Sequence, residues 1–350
     1  PFVKGGKALT LTAALLCTAA FLGSLMAFGT TAQAETQAEA QAFTPGVAGR
    51  ITSCKISGDK QNVEIGFSST GDVTGTDGNI YIFEMQPYEE ELGSRSNFIA
   101  SSPALSAASV SVPLNLGTPQ DKLYSRFVLA VFDGTKFIKV SQPHYITNPE
   151  LIAKNQTSFN DPLTKKGLVI EIDMLNDAFD LGVKHVTTNI AFSQIMGTGI
   201  DYQYDGKTYH FNKGVVDAYD KTISALSNKG MTVTVILLND WNPNTPDLVY
   251  PGTQKNSNAF YYMFNAETEA GFDQTKAIAS FLAQHYSGDN PNYGKVSNWI
   301  IGNEINNQQW NYMGAMDLTN YVKAYQKAFR VIYTAIKSTN ANDRVYFSLD

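Results

Sequence analysis

From residue 8 to residue 28 the chain is uncharged and dominated by Ala, Leu, Phe and Met. Lys4 and Lys7 precede this run and Ala32-Gln33-Ala34 follows it. That order is the one a secretory signal peptide needs, with a small-x-small cleavage site at its end. A run of this length could also stay in place as a membrane anchor. The cleavage pattern and the polar stretch Glu35-Thr36-Gln37-Ala38-Glu39 favour removal of residues 1–34, leaving an exported chain with no stable membrane insertion. Cys17 follows Leu15-Leu16 rather than the small residue of a lipoprotein signal, so it belongs to the apolar region. Residues 35–47 are rich in Ala, Gln and Glu, close with Pro45-Gly46, and read as a flexible leader.

Between residues 48 and 147 the pattern switches to short segments of period two, as in Val63-Glu64-Ile65-Gly66-Phe67, the signature of half-buried strands. Strands are predicted over 51–56, 62–68, 80–85, 108–114, 123–132 and 136–140. Ser57-Gly58-Asp59, Thr76-Asp77-Gly78-Asn79 and Asp133-Gly134 separate them, and Asp-Gly between apolar runs is a hairpin signal. Several short strands in about a hundred residues predict a small all-β sandwich domain.

From about residue 150 strands and helices alternate. Strands are predicted over 167–172, 183–192, 231–238, 296–302 and 345–349. Helices are predicted over 175–181, from an Asn212 cap to Asn228, from Thr268 to Tyr286, and from Asp317 to Ser338. A further hairpin is predicted over 202–209. Met231 to Leu238 is almost continuously apolar, as expected of a strand buried on both faces. In the last helix Leu318, Tyr321, Val322, Tyr325, Phe329, Ile332 and Ile336 recur at helical spacing and predict one buried stripe. Short αβ turns, long βα loops and no glycine-rich first βα turn point to a partial TIM (β/α)8 barrel with about five strands, spanning residues 150–350, rather than an open doubly wound sheet. The chain starts at Pro1 and ends at Asp350, directly after the fifth strand, so it reads as part of a longer precursor.

Composition narrows the partners. The sequence holds 26 Lys and Arg against 32 Asp and Glu, and removing Lys4 and Lys7 takes the net charge from −6 to −8. There is no basic cluster, which argues against nucleic acid. Only Cys54 remains after cleavage, so the mature chain has no intramolecular disulfide. His144, His185, His210 and His285 show no metal-ligand spacing, no P-loop or Gly-x-Ser-x-Gly occurs, and no cofactor is called for. The 18 Tyr, 20 Phe and 3 Trp suit either a sugar-binding surface or an ordinary large core.

In a barrel of this kind chemistry is carried at the C-terminal ends of the strands. Those ends hold Asn189 after the second strand, Asn239-Asp240-Trp241 after the third, and Asn303-Glu304 followed by a loop with Trp310 after the fourth. Trp241 and Trp310 serve either as sugar platforms or as packing under a loop. Asp240 either binds substrate or caps its loop. Asn303 and Glu304, taken alone, could be polar residues leaving a buried strand. The stretch Ser297-Asn-Trp-Ile-Ile-Gly-Asn303-Glu304, however, resembles the strand-four motif of the clan A glycoside hydrolases, the group that includes cellulases, β-mannanases and β-xylosidases. The resemblance covers residues 160–350 through strand order, helix placement and this motif. Within the clan it is similar to a poorly characterised branch of exported bacterial proteins. It implies a secreted glycosidase acting on a β-linked carbohydrate with retention. It also implies Glu304 as general acid/base, Asn303 on the sugar 2-hydroxyl, and a nucleophilic Glu on a seventh strand beyond residue 350. Glu171, Glu267 and Glu269 are not substitutes, the first lying in strand one and the others opening a helix, where acids suit the dipole. Retaining chemistry needs two carboxyl groups about 5 Å apart, so residues 35–350 alone are expected to be inactive. The competing readings are a catalytically inactive barrel that binds glycans at the cell surface and a mainly structural surface protein.

Overall fold

The computed structural model describes residues 49–69, 75–170 and 172–350. Residues 1–34 and 35–47, expected to be signal peptide and leader, and Glu171 lie outside the described residues. The first described strands are β1 (Gly49–Ile56), β2 (Asn62–Ser69), β3 (Asn79–Met85), β4 (Ala100–Pro103) and β5 (Ala108–Pro113). They are followed by β6 (Arg126–Phe132), β7 (Phe137–Lys139) and β8 (His144–Tyr145). Two antiparallel sheets result. One has the order β1-β2-β5 and the other β4-β3-β6-β7, with β8 also on β6. Alternation decides which side chains are buried. Val63, Ile65 and Phe67 of β2 share one apolar core with Ile51, Cys54 and Ile56 of β1, Ile80 and Ile82 of β3, and Phe127, Leu129 and Val131 of β6. The β6–β7 turn forms where Asp133-Gly134 predicts it. Gly134 has φ 101°, and the Asp133 N–H donates to the Lys136 carbonyl at 3.0 Å. Strands β4 and β8 are additional to those the periodicity predicts. Both are short, and β4 reads Ala-Ser-Ser-Pro, with no apolar alternation to mark it.

The second set of elements comprises β9 (Gly167–Val169), α1 (Leu175–Asp180), β10 (His185–Ala191), α2 (Phe192–Ile195), β11 (Gly199–Tyr204), β12 (Lys207–Asn212), α3 (Lys213–Ser227) and β13 (Thr232–Leu238). It continues with α4 (Glu269–His285), β14 (Asn298–Ile301), α5 (Leu318–Thr339) and β15 (Arg344–Tyr346). Strands β9-β10-β13-β14-β15 form one sheet in chain order, and every pair is parallel. Strands β11 and β12 make a separate hairpin. The helix starts follow cap chemistry. The side chains of Asn212, Thr268 and Asp317 accept the backbone N–H of Val215, Gly271 and Asn320 respectively.

One face of the parallel sheet is buried against the helices. Trp299, aligned with Val235 and Val345, is fully buried there, and its Nε1 donates to Asp343 at 2.9 Å. The other face carries aligned rows. Thr187, Thr234 and Asn298 form one row, and Asn189, Ile236, Ile300 and Tyr346 form the next. Asn298 Nδ2 donates to Thr234 Oγ1 within its row, at 3.1 Å.

Three sequence expectations need correction. Leu318 and Val322 of α5 are exposed, at 77% and 52%. The buried seam runs instead through Tyr321, Ala324, Tyr325, Ala328, Val331, Ile332 and Ala335. Alanines on α5 and on α4 (Ala277, Ala279, Ala283) are buried in the same region of the molecule. Small side chains let helices approach closely, and a count of large apolar residues overlooks them. The first strand ends at Val169 rather than 172, giving way to a short 3-10 turn over Ile172–Met174. The last ends at Tyr346 rather than Leu349, because Ser348 bonds to the loop after β14 instead.

Candidate active site

Strand β14 leaves the sheet through an unusual backbone. Gly302 has φ 73°, and Glu304, two residues on, has φ 42°. A Cβ at Gly302 would come within 2.9 Å of Ile305 Cγ2, so glycine is required there sterically as well as by φ. Glu304 has no such excuse. A non-glycine residue in the left-handed region is held at a cost of about 1 kcal/mol or more, and such residues cluster at functional sites.

What holds Glu304 is the chain after β15. Its N–H donates to Ser348 Oγ at 2.8 Å, and the Ile305 N–H donates to the Ser348 carbonyl at 3.0 Å. The same Ser348 hydroxyl donates to Asn303 Oδ1 at 3.4 Å. One serine therefore joins Asn303 and Glu304. Beneath them, the Tyr325 hydroxyl donates to the Ile301 carbonyl at 2.6 Å. The Tyr321 hydroxyl donates to the Ile305 carbonyl at 2.5 Å and accepts from Asn311 Nδ2 at 2.9 Å. Burial pushes both phenols above their usual range, so both remain protonated donors. Glu304 itself is half-buried at the surface.

The loop after Glu304 descends in two turns. The Asn307 N–H bonds to the Glu304 carbonyl at 2.8 Å, and the Trp310 N–H to the Asn307 carbonyl at 3.0 Å. This delivers Trp310 against two rings of the long loop after β13. Its ring centroid is 4.8 Å from Phe260 and 6.0 Å from Tyr261, with interplanar angles of 33° and 23°. The two loops are tied by backbone bonds: Phe260 N–H to the Gln309 carbonyl at 2.7 Å, Tyr312 N–H to the Tyr261 carbonyl at 2.9 Å, and Met263 N–H to the Tyr312 carbonyl at 2.9 Å.

The remaining sequence-predicted residues separate. Asn239 is fully buried. Its Nδ2 donates to the Leu248 carbonyl at 2.7 Å, and its carbonyl accepts from Tyr262 N–H at 2.8 Å. Its side-chain nitrogen thus holds the loop that follows β13, while its buried Oδ1 has no hydrogen-bond partner among the described residues. Trp241 is half-buried beside Tyr262, 5.4 Å between ring centroids. Asp240 accepts from Gln194 Nε2 at 2.5 Å. Asn189 is exposed on the row-bearing face of β10. Sequence reading missed Ser348, Phe260 and Tyr261, and placed Tyr325 on a buried stripe without its bond to the Ile301 carbonyl. Gly302 before Asn303-Glu304 was the one local sign of the turn; the aromatic pair in Phe260-Tyr261 carries no periodicity that would single it out. Among the described residues no group of three or more His, Cys, Asp and Glu could hold a metal ion. No helix among them is long and apolar enough to cross a membrane.

No curated protein matches the chain. Solved structures similar to it include the β-glycosidase of Thermosphaera aggregans, at 15% identity and TM-score 0.32 over 51% of this chain and 42% of that one. They also include the endoglucanase Cel5A of Thermotoga maritima, at 15% identity and TM-score 0.31 over 58% and 52%. A third is a family 39 glycoside hydrolase from Bacteroides cellulosilyticus WH2, at 14% identity and TM-score 0.31 over 86% and 48%. The chain thus spans about half the length of these proteins or less. The model of one protein family matches residues 158–350, more than half of the chain and all of β9 to β15. The chain belongs to that family, a family of unknown function (DUF5722).

Proposed function

We propose that this protein is a secreted glycoside hydrolase that cleaves β-linked oligo- or polysaccharide with retention, and that Glu304 is its general acid/base. The single observation that carries the reading is Glu304 itself. It is a carboxylate at the C-terminal end of the fourth strand of a parallel sheet, kept in the left-handed region at φ 42° and tied with Asn303 to one serine. Strand ends of this kind bear catalysis in barrel enzymes, and the proposal extends the five parallel strands to a (β/α)8 barrel preceded by a β-sandwich.

In this reading Glu304 first protonates the leaving glycosidic oxygen while a second carboxylate attacks the anomeric carbon. The glycosyl–enzyme bond is then broken by water, whose proton Glu304 takes back. Asn303 would hold the sugar 2-hydroxyl, a contact that strengthens in the transition state. The nucleophile would be a Glu in the chain beyond residue 350. Residues 35–350 alone should therefore hydrolyse nothing. In the full-length protein, Glu304→Gln should lower hydrolysis of an unactivated β-glycoside by at least about a hundredfold, the usual scale of general acid–base catalysis, with unchanged thermal unfolding. Unchanged hydrolysis, or an inverted product anomer, rules the reading out.

A further inference from the structure

We propose that Ser348 is a positioning residue: its single hydroxyl aims the Glu304 carboxylate and turns the Asn303 amide so that the NH2 group faces the substrate. This rests on the glycosidase reading of Glu304 and Asn303, and adds the residue through which the two act together.

Strands β14 and β15 stop pairing at Ile300 and Tyr346, before either chain reaches the site. Beyond that point loop backbone and side chains take over from the ladder. The Ile305 N–H donates to the Ser348 carbonyl at 3.0 Å, and the Asp350 N–H donates to Asn306 Oδ1 at 2.9 Å. The Glu304 N–H donates to Ser348 Oγ at 2.8 Å. The N–H groups of Glu304 and Ile305 belong to the two peptide planes that flank the Glu304 Cα. Each plane is rigid, so anchoring both to one residue fixes φ and ψ between them. That fixes the direction of the Cα–Cβ bond from which the carboxylate hangs. Ser348 holds the second plane with its backbone and the first with its hydroxyl. Deleting the hydroxyl therefore frees the first plane and leaves the second in place.

The same hydroxyl has a proton to give. A serine carries one O–H and two lone pairs, and the Glu304 N–H takes up a lone pair. The proton goes to Asn303 Oδ1, 3.4 Å away. At that length the bond is weak, and its consequence is orientation. With Oδ1 drawn to Ser348, Nδ2 is turned away from it. Among the described residues nothing accepts from Nδ2 and nothing donates to the Glu304 carboxylate. The backbone side of the pair is held, and the ends that would meet a sugar are open.

The test compares first-turnover rates of the full-length protein and its Ser348→Ala variant on three substrates. These are an unactivated β-linked oligosaccharide, a dinitrophenyl β-glycoside that leaves without a proton, and the 2-deoxy form of that glycoside. Ser348→Ala should slow the oligosaccharide about a hundredfold, the scale of a misaimed acid. It should slow the dinitrophenyl glycoside about fivefold, the scale of one hydrogen bond to the 2-hydroxyl, and leave the 2-deoxy form at the parent rate. Ser348→Thr keeps the hydroxyl and should recover most of the oligosaccharide rate. Thermal unfolding shows that the proteins compared are folded. If Ser348→Ala does not fold, Ser348→Cys keeps the size with only a weak donor and acceptor, and should show the same graded losses. One common factor on all three substrates, no loss on the oligosaccharide, or Ser348→Thr as slow as Ser348→Ala overturns the proposal. Glu304→Gln is run in parallel. If it is slow on the oligosaccharide while Ser348→Ala is not, the positioning role alone falls. If it keeps the parent rate, the glycosidase reading of Glu304 falls with it.

Discussion

The conformation of Glu304 makes a prediction about stability that is independent of any substrate. Consider Glu304→Ala and Glu304→Gly side by side. Both delete the carboxylate, and both keep the N–H that donates to Ser348 Oγ at 2.8 Å, so those terms cancel between them. Two terms remain. At an ordinary position glycine is less stable than alanine by about 0.5–1 kcal/mol, because its unfolded chain has more freedom to lose. At φ 42° alanine must bear a left-handed backbone at roughly 1–2 kcal/mol, which glycine escapes. The second term exceeds the first, so Glu304→Gly should be more stable than Glu304→Ala by about 0.5–1 kcal/mol. For a chain of this size that is a melting-temperature difference of about 1 °C. Urea unfolding with matched slopes measures it directly. If alanine equals or exceeds glycine, the backbone at Glu304 is not strained, and the argument that a function holds it there fails.

Further outcomes follow from buried groups and caps. Burial, opposed by the Trp299 hydrogen bond, raises the Asp343 carboxyl to about 7. A folded value above the unfolded one means stability is full below about pH 4 and falls as pH rises towards 7, by at most about 4 kcal/mol. Asp343→Asn should therefore flatten unfolding free energy between pH 4 and 7. Asn Oδ1 can keep both bonds now made to Asp343 Oδ2 by Trp299 and Asn340, and a pH series of denaturation curves that stays sloped refutes this. Asp317→Ala removes the α5 cap onto Asn320 N–H and should destabilise by about 1 kcal/mol, visible as a lower urea midpoint; an unchanged midpoint would show that the cap contributes nothing. Tyr325→Phe leaves the Ile301 carbonyl without its buried donor and should lose about 1–3 kcal/mol, with hydrolysis falling too if the β14 end shifts; full stability would dismiss that anchor.

What the sequence makes legible is what repeats. Strand alternation marks β2, caps mark Asn212, Thr268 and Asp317, and apolar runs mark β6 and β13. Asn303-Glu304 is legible because it follows Trp-Ile-Ile-Gly on a strand. The rest depends on long-range pairing that no local pattern encodes. Ser348 reaches back 44 residues to the Glu304 N–H, and Phe260 joins Trp310 because Gln309 offers it a carbonyl. Asn239 looks like a site residue at a strand end, yet the return of its loop through Leu248 and Tyr262 buries it. Leu318 and Val322 look like core until the alanines of α5 are given their packing role.

The acid/base role of Glu304 is tested most directly by leaving-group dependence in the full-length protein. With Glu304→Gln, a dinitrophenyl β-glycoside needs no proton to depart, so its glycosyl–enzyme should still form. An unactivated β-linked oligosaccharide should turn over at least about a hundredfold more slowly than in the parent. Added azide should restore turnover of the dinitrophenyl substrate by attacking the intermediate in place of base-activated water, giving the β-glycosyl azide. Equal losses on both substrates with no azide product would contradict the assignment of Glu304 as the general acid/base.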